Sequence, residues 1–213
     1  MNQLLRNAIS ILFLSLAMAG TANASIIFQD NFDSYNSGVE QLNFTNFGGT
    51  WTVTYGAVDL IGNGGANDFL PGNGLYIDLD GTTGVAGIMG HLESLSAGDY
   101  TLSFDLAGNQ RNSATEVTTA NVAILVGSGT AANQSYSLAQ NTDFTTYSLD
   151  FSISPLVDPS LVMISFGATG GDYIGMLLDN VSLQTKTTVP EPVTLSLLGI
   201  GLLAMGFSRK KIA

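Results

Sequence analysis

Cysteine is absent from this chain of 213 residues, and histidine and basic residues are scarce. Without cysteine the chain forms no disulfide, offers no thiolate nucleophile and builds no cysteine zinc site. His91 is the single histidine, so a two-histidine metal site is excluded and any serine–histidine–acid triad would depend on that residue. Enzymes that use a cysteine nucleophile, a cysteine zinc site or a two-histidine metal site are therefore excluded.

Positive charge is almost missing from the middle of the chain. From Ser25 to Thr188 the only basic side chains are Arg111 and Lys186, against sixteen acidic ones, which gives a net charge of -14. Because nucleic-acid binding depends mainly on Lys and Arg contacts to phosphates, we expect no nucleic-acid partner. Such an acidic surface is typical of a soluble extracytoplasmic protein, or of carboxylates that bind a divalent cation.

Amphipathic helices are also lacking between residues 25 and 184. Short runs of Thr, Val, Ile, Tyr and Phe alternate there with Gly, Asn and Asp clusters, which indicates strands and turns. The pattern predicts an all-β domain, an antiparallel β-sandwich of jelly-roll type with nine or ten strands. The expected strands are 26–32, 51–61 with a kink at Gly56, 75–79, 85–92, 99–108, 120–126, 145–154, 161–166 and 176–183.

The first 24 residues have the pattern of a secretory signal peptide. Arg6 precedes an apolar stretch of twelve residues, 8–19, and the small residues Ala22 and Ala24 flank Asn23 before Ser25. This small-residue pattern indicates cleavage after Ala24. A retained transmembrane anchor is the alternative, and it is less favoured because the apolar stretch is shorter than the ~20 residues that a membrane span needs.

The other end of the chain combines three short segments. A polar spacer, 185–189, leads to Pro190, Glu191 and Pro192; an uncharged run follows at 193–207. As a helix this run would be about 22 Å long, somewhat short for a ~30 Å hydrocarbon core. The cations Arg209, Lys210 and Lys211 would stay on the cytoplasmic side, so the domain would face outward.

Residues 190–213 resemble the PEP-CTERM sorting signal of Gram-negative bacteria that make exopolysaccharide. The resemblance implies that an exosortase recognises Pro190, Glu191 and Pro192 and cuts near them, after a transient stay in the inner membrane. The implied destination is the cell-envelope surface or the extracellular biofilm matrix. A permanent tail anchor is the alternative.

The central domain resembles exported proteins of this kind whose domain is similar to carbohydrate-binding-module jelly rolls. The resemblance rests on the segments DNFDSY, WTVTYGAVDLIGNGG, FLPGNGLYIDLDG, YTLSFDLAGNQR and GMLLDNVSL. In such modules a structural calcium ion often links the first strand to the last. The resemblance therefore implies Asp30, Asp33 and Asp179 as calcium ligands, the alternative being exposed turn residues.

Sugar binding would need exposed aromatic rings beside amide groups, because a pyranose has an apolar face and polar hydroxyls. Trp51, Tyr76 and Tyr173 are the candidate platforms, and Asn109 is the candidate hydrogen-bonding group. Core packing is an equally valid interpretation for Trp51. We expect a non-enzymatic module that binds glycan, for example exopolysaccharide.

Two alternative functions remain open. A structural matrix or adhesion protein would have no small-sugar site. A glycan hydrolase would need two carboxylates in a groove, for which Asp78 and Asp80 are candidates by their i, i+2 spacing on one strand face. Aspartates beside a glycine are also common turn formers.

Overall fold

The structure is a computed structural model that describes residues 24–111, 117–155 and 159–186. The predicted signal peptide, apart from Ala24, and the predicted sorting signal and helix 193–207 lie outside these ranges. Within them, no helix has the length and apolar character needed to cross a bilayer. A compact unit spans Ser25–Lys186 and contains the hydrophobic core described below.

Eleven β-strands make up this domain. They are β1 (Ile26–Asp30), β2 (Thr52–Tyr55), β3 (Asp59–Gly62), β4 (Leu75–Asp78), β5 (Ile88–Leu95), β6 (Gly98–Ala107), β7 (Val117–Val126), β8 (Gly129–Ala139), β9 (Thr145–Ile153), β10 (Ser160–Thr169) and β11 (Leu177–Thr185). A single 3-10 turn at Tyr35–Gly38 is the only helical element in the described ranges.

The strands form two antiparallel sheets. The first sheet has the order β3-β4-β11-β6-β9, with β1 also paired to β11, and the second has the order β2-β5-β10-β7-β8. The predicted all-β sandwich is confirmed. β11 pairs with β4 through Leu177 and Leu178 and with β1 from Val181 onward, so two strands share one of its edges.

Alternation along the strands builds the core. In β6, Tyr100, Leu102, Phe104 and Leu106 are buried, whereas the intervening residues are partly exposed. This matches the period of two of a half-buried strand, as predicted. The inward faces of both sheets join in one cluster, to which β10 contributes Phe166.

Several predicted strand bounds differ from the structure; the strand predicted at 85–92, for example, is Ile88–Leu95. The expected strand 51–61 is divided, because β2 and β3 belong to different sheets. The chain turns at Gly56, where φ is +60° and a side chain would collide with the carbonyls of Val85 and Ala86. The sequence interpretation also missed β8, and β11 includes Thr185, so the domain extends two residues into the predicted spacer, to Lys186.

Candidate functional site

Two of the four predicted sugar-binding residues, Trp51 and Tyr76, lie in the protein interior. The Trp51 indole Nε1 donates a hydrogen bond to Asp30 Oδ2 at 2.8 Å. The Tyr76 hydroxyl accepts hydrogen bonds from the backbone N–H groups of Phe69 and Leu70, at 2.7 and 3.0 Å. Burial raises the pKa of Tyr76 to about 12. Because buried rings offer no face to a sugar, the prediction that these two are glycan platforms is wrong.

The other two predicted residues, Asn109 and Tyr173, meet at one end of the sandwich through Arg111. The Arg111 backbone N–H donates to Asn109 Oδ1 at 2.9 Å, and Arg111 Nη1 donates to the Tyr173 carbonyl at 2.8 Å. Asn109 is buried, whereas Tyr173 is 51% exposed. Tyr173 is thus the accessible member of the predicted set, and a single ring does not form an aromatic strip.

Arg111 also neutralises a buried carboxylate. Its Nη2 forms an ion pair with Asp78 Oδ2, and its guanidinium carbon lies 4.6 Å from the centre of the Phe69 ring. Burial lowers the pKa of Arg111, while the charges of Asp59 and Asp172 act in the opposite direction. Arg111 therefore links the loop that contains Tyr173 and the loop that contains Phe69 to Asp78 at the end of β4.

Asp78 and Asp80, the candidate catalytic pair, are both fully buried. Asp78 Oδ1 accepts hydrogen bonds from the N–H groups of Asp80 and Gly175, at 2.9 and 3.0 Å. Asp80 Oδ2 accepts from the N–H groups of Gly171 and Asp172, at 2.6 and 3.1 Å. These carboxylates anchor the loop after β10, and a substrate in solution would not reach them.

The three predicted calcium ligands are near enough to interact, since the charges of Asp33 and Asp30 act on Asp179, and Asp30 lies opposite Val181 where β1 pairs with β11. Asp30 Oδ1 accepts a hydrogen bond from the Phe32 N–H at 2.9 Å. Its Oδ2 accepts from the Tyr35 hydroxyl at 2.6 Å as well as from Trp51. Asp33 Oδ1 accepts from the Leu75 N–H at 2.8 Å. Asp30 and Asp33 are thus already used as acceptors that order the loop after β1.

Asp179 is the buried member of this group. Burial raises its pKa to about 7, and the charges of Asp33, Asp105 and Asp30 add to that effect, while a hydrogen bond from the Asn180 N–H opposes it. A carboxyl in these surroundings is one that a cation would keep ionised.

The fit of these residues to a calcium ion is partial. Asp179 and Asp33 supply carboxylate oxygens in an acidic environment, which suits Ca²⁺. Asp30 and Asp33 fit less well, because their oxygens already accept hydrogen bonds: three at Asp30, and at Asp33 one from the Leu75 N–H and one from Asn31 Nδ2. In the ranges that the structure describes, no group of three His, Asp or Glu side chains has the arrangement of a metal site. Calcium binding here stays a prediction.

A polar cavity of about 490 Å³ opens beside this group. It lies next to the point on β11 between its pairing with β4 and its pairing with β1, where the ladder is irregular and Asn180 has a φ of +49°. Such irregularities often redirect side chains at functional sites. The cavity is lined by Gln29, Asp30, Asn31, Ser34, Asn180, Val181 and Ser182.

The outer face of the first sheet continues from this cavity as a polar surface. Asn180 Nδ2 donates to Asp105 Oδ2 at 2.9 Å, and Thr146 Oγ1 donates to Asp105 Oδ1 at 2.5 Å. Further along, Thr101 Oγ1 donates to Asp150 Oδ1 at 2.6 Å. Carboxylates thus lie opposite hydroxyl groups across β6 and β9, and this outer face is polar.

Of the residues that line the cavity, the sequence analysis named Asp30 alone, as a calcium ligand. The missing information was the pairing of β1 with β11, which sets the outward-facing Gln29 opposite Ser182. Alternation marks both as outward-facing, and the resemblance to jelly rolls indicated that the first and last strands meet. Strand alternation together with the pairing of the first and last strands would have identified Gln29 and Ser182 as neighbours on the outer face.

The sorting signal is supported by a family comparison. Residues 188–210 match the PEP-CTERM protein-sorting motif. The motif indicates an exported protein with a C-terminal membrane-anchoring sorting signal and implies processing by an exosortase. It includes Pro190, Glu191, Pro192, Arg209 and Lys210, as predicted, and Lys211 follows it directly.

The domain is similar in fold to solved structures of different functions. A cyclase from Fischerella sp., without ligand, shares 18% identity at a TM-score of 0.55, over 79% of this chain and 99% of that one. A cyclase from Fischerella sp. TAU shares 20% identity at 0.54, over 78% and 99%. A family 22 carbohydrate-binding module from Clostridium thermocellum shares 14% identity at 0.47, over 78% and 96%. No curated protein matches the sequence. These likenesses describe the fold.

Proposed function

We propose that this protein is a non-enzymatic glycan-binding protein, delivered by exosortase sorting to the envelope surface or the exopolysaccharide matrix of a Gram-negative bacterium. The observation that carries the proposal is the polar cavity of about 490 Å³ between the first and last strands. Its volume lies within the ~300 to 1,000 Å³ that is usual for small-ligand sites.

The chemistry of the lining suits sugar hydroxyls. Gln29, Asn31 and Asn180 each offer an amide that both donates and accepts, and Ser34 and Ser182 offer hydroxyls with the same capacity. A hydroxyl-rich ligand could exchange its hydrogen bonds with water for hydrogen bonds with these groups. The lining contains no aromatic ring on which a sugar face could stack. Binding would therefore depend on hydrogen bonds to the hydroxyl groups of the glycan.

The test is binding of the Ser25–Lys186 domain, which contains the whole described core, to a glycan array and to the host exopolysaccharide. Gln29→Ala and Ser182→Ala should each weaken binding by about tenfold, which corresponds to the loss of a good hydrogen bond. Gln184→Ala is the matched control, since this outward-facing glutamine lies on the same strand outside the cavity lining.

Two results would contradict the proposal. Equal binding by the cavity variants and the control would place the glycan elsewhere, for example beside the exposed Tyr173. Absence of binding to the array and to the host polysaccharide would favour the structural matrix or adhesion protein. The burial of Trp51 and Tyr76 is the observation that favours this second candidate.

A hydrolase is the third candidate. Its named pair, Asp78 and Asp80, is buried and hydrogen-bonded to backbone amides. Incubation of the domain with the host polysaccharide, followed by a reducing-end assay, checks the non-enzymatic part of the proposal. A steady increase of reducing ends would overturn it.

A further inference from the structure

Two asparagines that line the polar cavity are oriented by carboxylates. Asn31 Nδ2 donates a hydrogen bond to Asp33 Oδ2 at 2.7 Å, and Asn180 Nδ2 donates to Asp105 Oδ2 at 2.9 Å. Because a carboxylate only accepts hydrogen bonds, the nitrogen end of each amide has to face its aspartate. Asn31 Oδ1 also accepts from the Asp33 N–H, but at 3.4 Å. The end of each amide that remains for a ligand is therefore the carbonyl oxygen, which is an acceptor.

The charged groups around the cavity have one sign. Asp30 belongs to the lining, Asp33 and Asp105 contact lining asparagines, and Asp179 precedes the lining residue Asn180. Burial, and then the charges of Asp33, Asp105 and Asp30, raise the pKa of Asp179, so these carboxylates share one electrostatic environment. The lining itself contains no Lys, Arg or His. A ligand in the cavity therefore meets a negative potential.

The two basic side chains of the domain are paired with other carboxylates. Arg111 forms its ion pair with Asp78, and Lys186 Nζ lies 2.5 Å from Asp150 Oδ2. Neither Asp78 nor Asp150 belongs to the lining of the cavity. An anionic polysaccharide, for example one built from uronic acids, would find no cation in the lining to pair with its carboxylates and would be repelled.

We propose that the cavity selects a glycan that carries a primary ammonium group, an amino sugar without its N-acetyl group, over neutral and anionic glycans. The proposal rests on the glycan-binding function proposed above and names the class of sugar. A protonated amine has three N–H donors and no acceptor, which matches acceptor groups in a negative potential. Hydrogen bonds from a charged donor are also stronger than neutral ones. The acetamide of an N-acetylated sugar is neutral and has a single N–H, so it fits less well.

The rest of the lining suits a sugar more than a basic peptide. Gln29, Ser34 and Ser182 offer amide and hydroxyl groups, which can pair with the ring hydroxyls beside a sugar amine. A lysine side chain would instead bring its ammonium group on an apolar four-carbon stem, and Val181 is the one apolar residue of the lining. A glycan is therefore the expected occupant, and a basic peptide is an outcome that the test separates.

Calorimetric titration of the Ser25–Lys186 domain, which contains the whole described core, with a matched pair of sugars tests the proposal. The pair is a β-1,4-linked glucosamine trimer and the same trimer with N-acetyl groups, both at about pH 6, where the amine carries its proton. A chelator keeps divalent cations from competing for the carboxylates. We expect the free-amine trimer to bind about tenfold more tightly, and this preference to fall as salt screens the charges. A tri-lysine peptide should bind more weakly than this trimer.

Asp105→Asn and Asp99→Asn form a matched pair of variants. Both aspartates lie on the outward-facing side of β6, and each accepts a hydrogen bond from a β9 hydroxyl, that of Thr146 or of Ser152. Of the two, Asp105 contacts the lining, through Asn180. Asp99 is about 20 Å away along the strand, beyond the ~8 to 10 Å over which surface charges act in physiological salt. Asp105→Asn should lower the preference for the free amine by about threefold, and Asp99→Asn should leave it unchanged.

Gln29→Ala separates this proposal from glycan binding in general. The variant keeps every charge, so it should weaken both trimers by the same factor and leave their ratio unchanged. Circular dichroism and the thermal midpoint of each variant check that it is folded.

Three results would overturn the selectivity for an amino sugar and leave glycan binding standing. They are equal binding of the two trimers, an equal change of preference in Asp105→Asn and Asp99→Asn, and binding of tri-lysine as tight as that of the glucosamine trimer. Absence of binding to every glycan, including the host polysaccharide, would overturn both proposals.

Discussion

The indole N–H of Trp51 donates a hydrogen bond to Asp30, 2.8 Å away and 21 positions earlier in the chain. The single tryptophan is thereby held in the core beside Phe28, Phe32 and Phe166, where it packs edge-on or tilted against their rings. In many sugar-binding sites such a residue would be the stacking platform, but here it joins the end of β1 to the interior.

Replacement of Asp30 by alanine should destabilise the domain by about 3 kcal/mol. The Trp51 indole, the Tyr35 hydroxyl and the Phe32 N–H would lose their common acceptor. Urea unfolding followed by Trp51 fluorescence measures the change. Asp143→Ala, on an exposed loop, removes the same group and should shift the midpoint little. Equal losses in both variants would contradict the anchoring role of Asp30.

Replacement of Arg111 by alanine should cost about 3 kcal/mol or more, because Asp78 would stay buried without its counter-ion. Thermal unfolding measures this. Lys186→Ala removes the other cation of the domain, whose pair with Asp150 is exposed, and should leave the midpoint nearly unchanged. A similar small effect for both would mean that the Arg111 pair does not stabilise the domain.

Asp179 should make the domain less stable as the pH rises. Its pKa is about 7 in the folded state and near the ordinary 3.8 when unfolded, so between these values the folded state binds the extra proton. The contribution to stability is complete below pH 4 and is lost as the pH rises through 7. The midpoint in a chelator should therefore fall between about pH 4 and 7, and Asp179→Asn should flatten the curve. An identical slope in the variant would contradict this.

A calcium ion at Asp33 and Asp179 would stabilise the native state by mass action. At 100 times its dissociation constant the gain is about 2.7 kcal/mol, and the pH dependence from Asp179 would disappear because the ion keeps the carboxylate ionised. Thermal midpoints with Ca²⁺ and with a chelator measure the effect. Asp33→Asn should abolish it, whereas Asp150→Asn on the exposed face should not. Identical midpoints with ion and chelator in the wild type would remove the calcium proposal.

The sorting motif predicts where the protein is found in the cell. Replacing Pro190, Glu191 and Pro192 by alanine should leave the full chain in the membrane fraction, because the recognised segment is lost while 193–207 stays apolar. Cell fractionation with an antibody to the domain checks this. Thr187→Ala, at the last position before the matched motif, is the control and should be released normally. Release of both variants would contradict exosortase processing at this motif.

Strand alternation identified most of the core, since Tyr100, Leu102, Phe104 and Leu106 are buried as predicted. It failed for β8, whose residues are mainly Ala, Ser, Asn and Gln and carry little apolar contrast. It also did not decide the role of Trp51 or Tyr76. Alternation separates two faces of a strand but does not say what covers the second one, and Tyr76 is covered by Phe69 and Leu70 from the loop before it.

The candidate cavity depends on contacts that are distant in sequence. Gln29 and Ser182 are brought opposite one another only by the pairing of β1 with β11. The raised pKa of Asp179 likewise depends on its burial and on the charges of Asp33 and Asp105. Local sequence pattern carries no information on such neighbours. The predicted sugar-binding residues therefore included Trp51 and Tyr76, which the fold buries in its interior.

The position of β11 also determines when the domain can form. This last strand pairs with β1, β4 and β6. The first sheet therefore cannot assemble until Thr185, the last residue of β11, has left the translocation channel. Only four residues then separate the completed strand from Pro190. The domain would therefore first close while its tail is still emerging, and an exosortase that acts on the tail would encounter a chain that has only just folded.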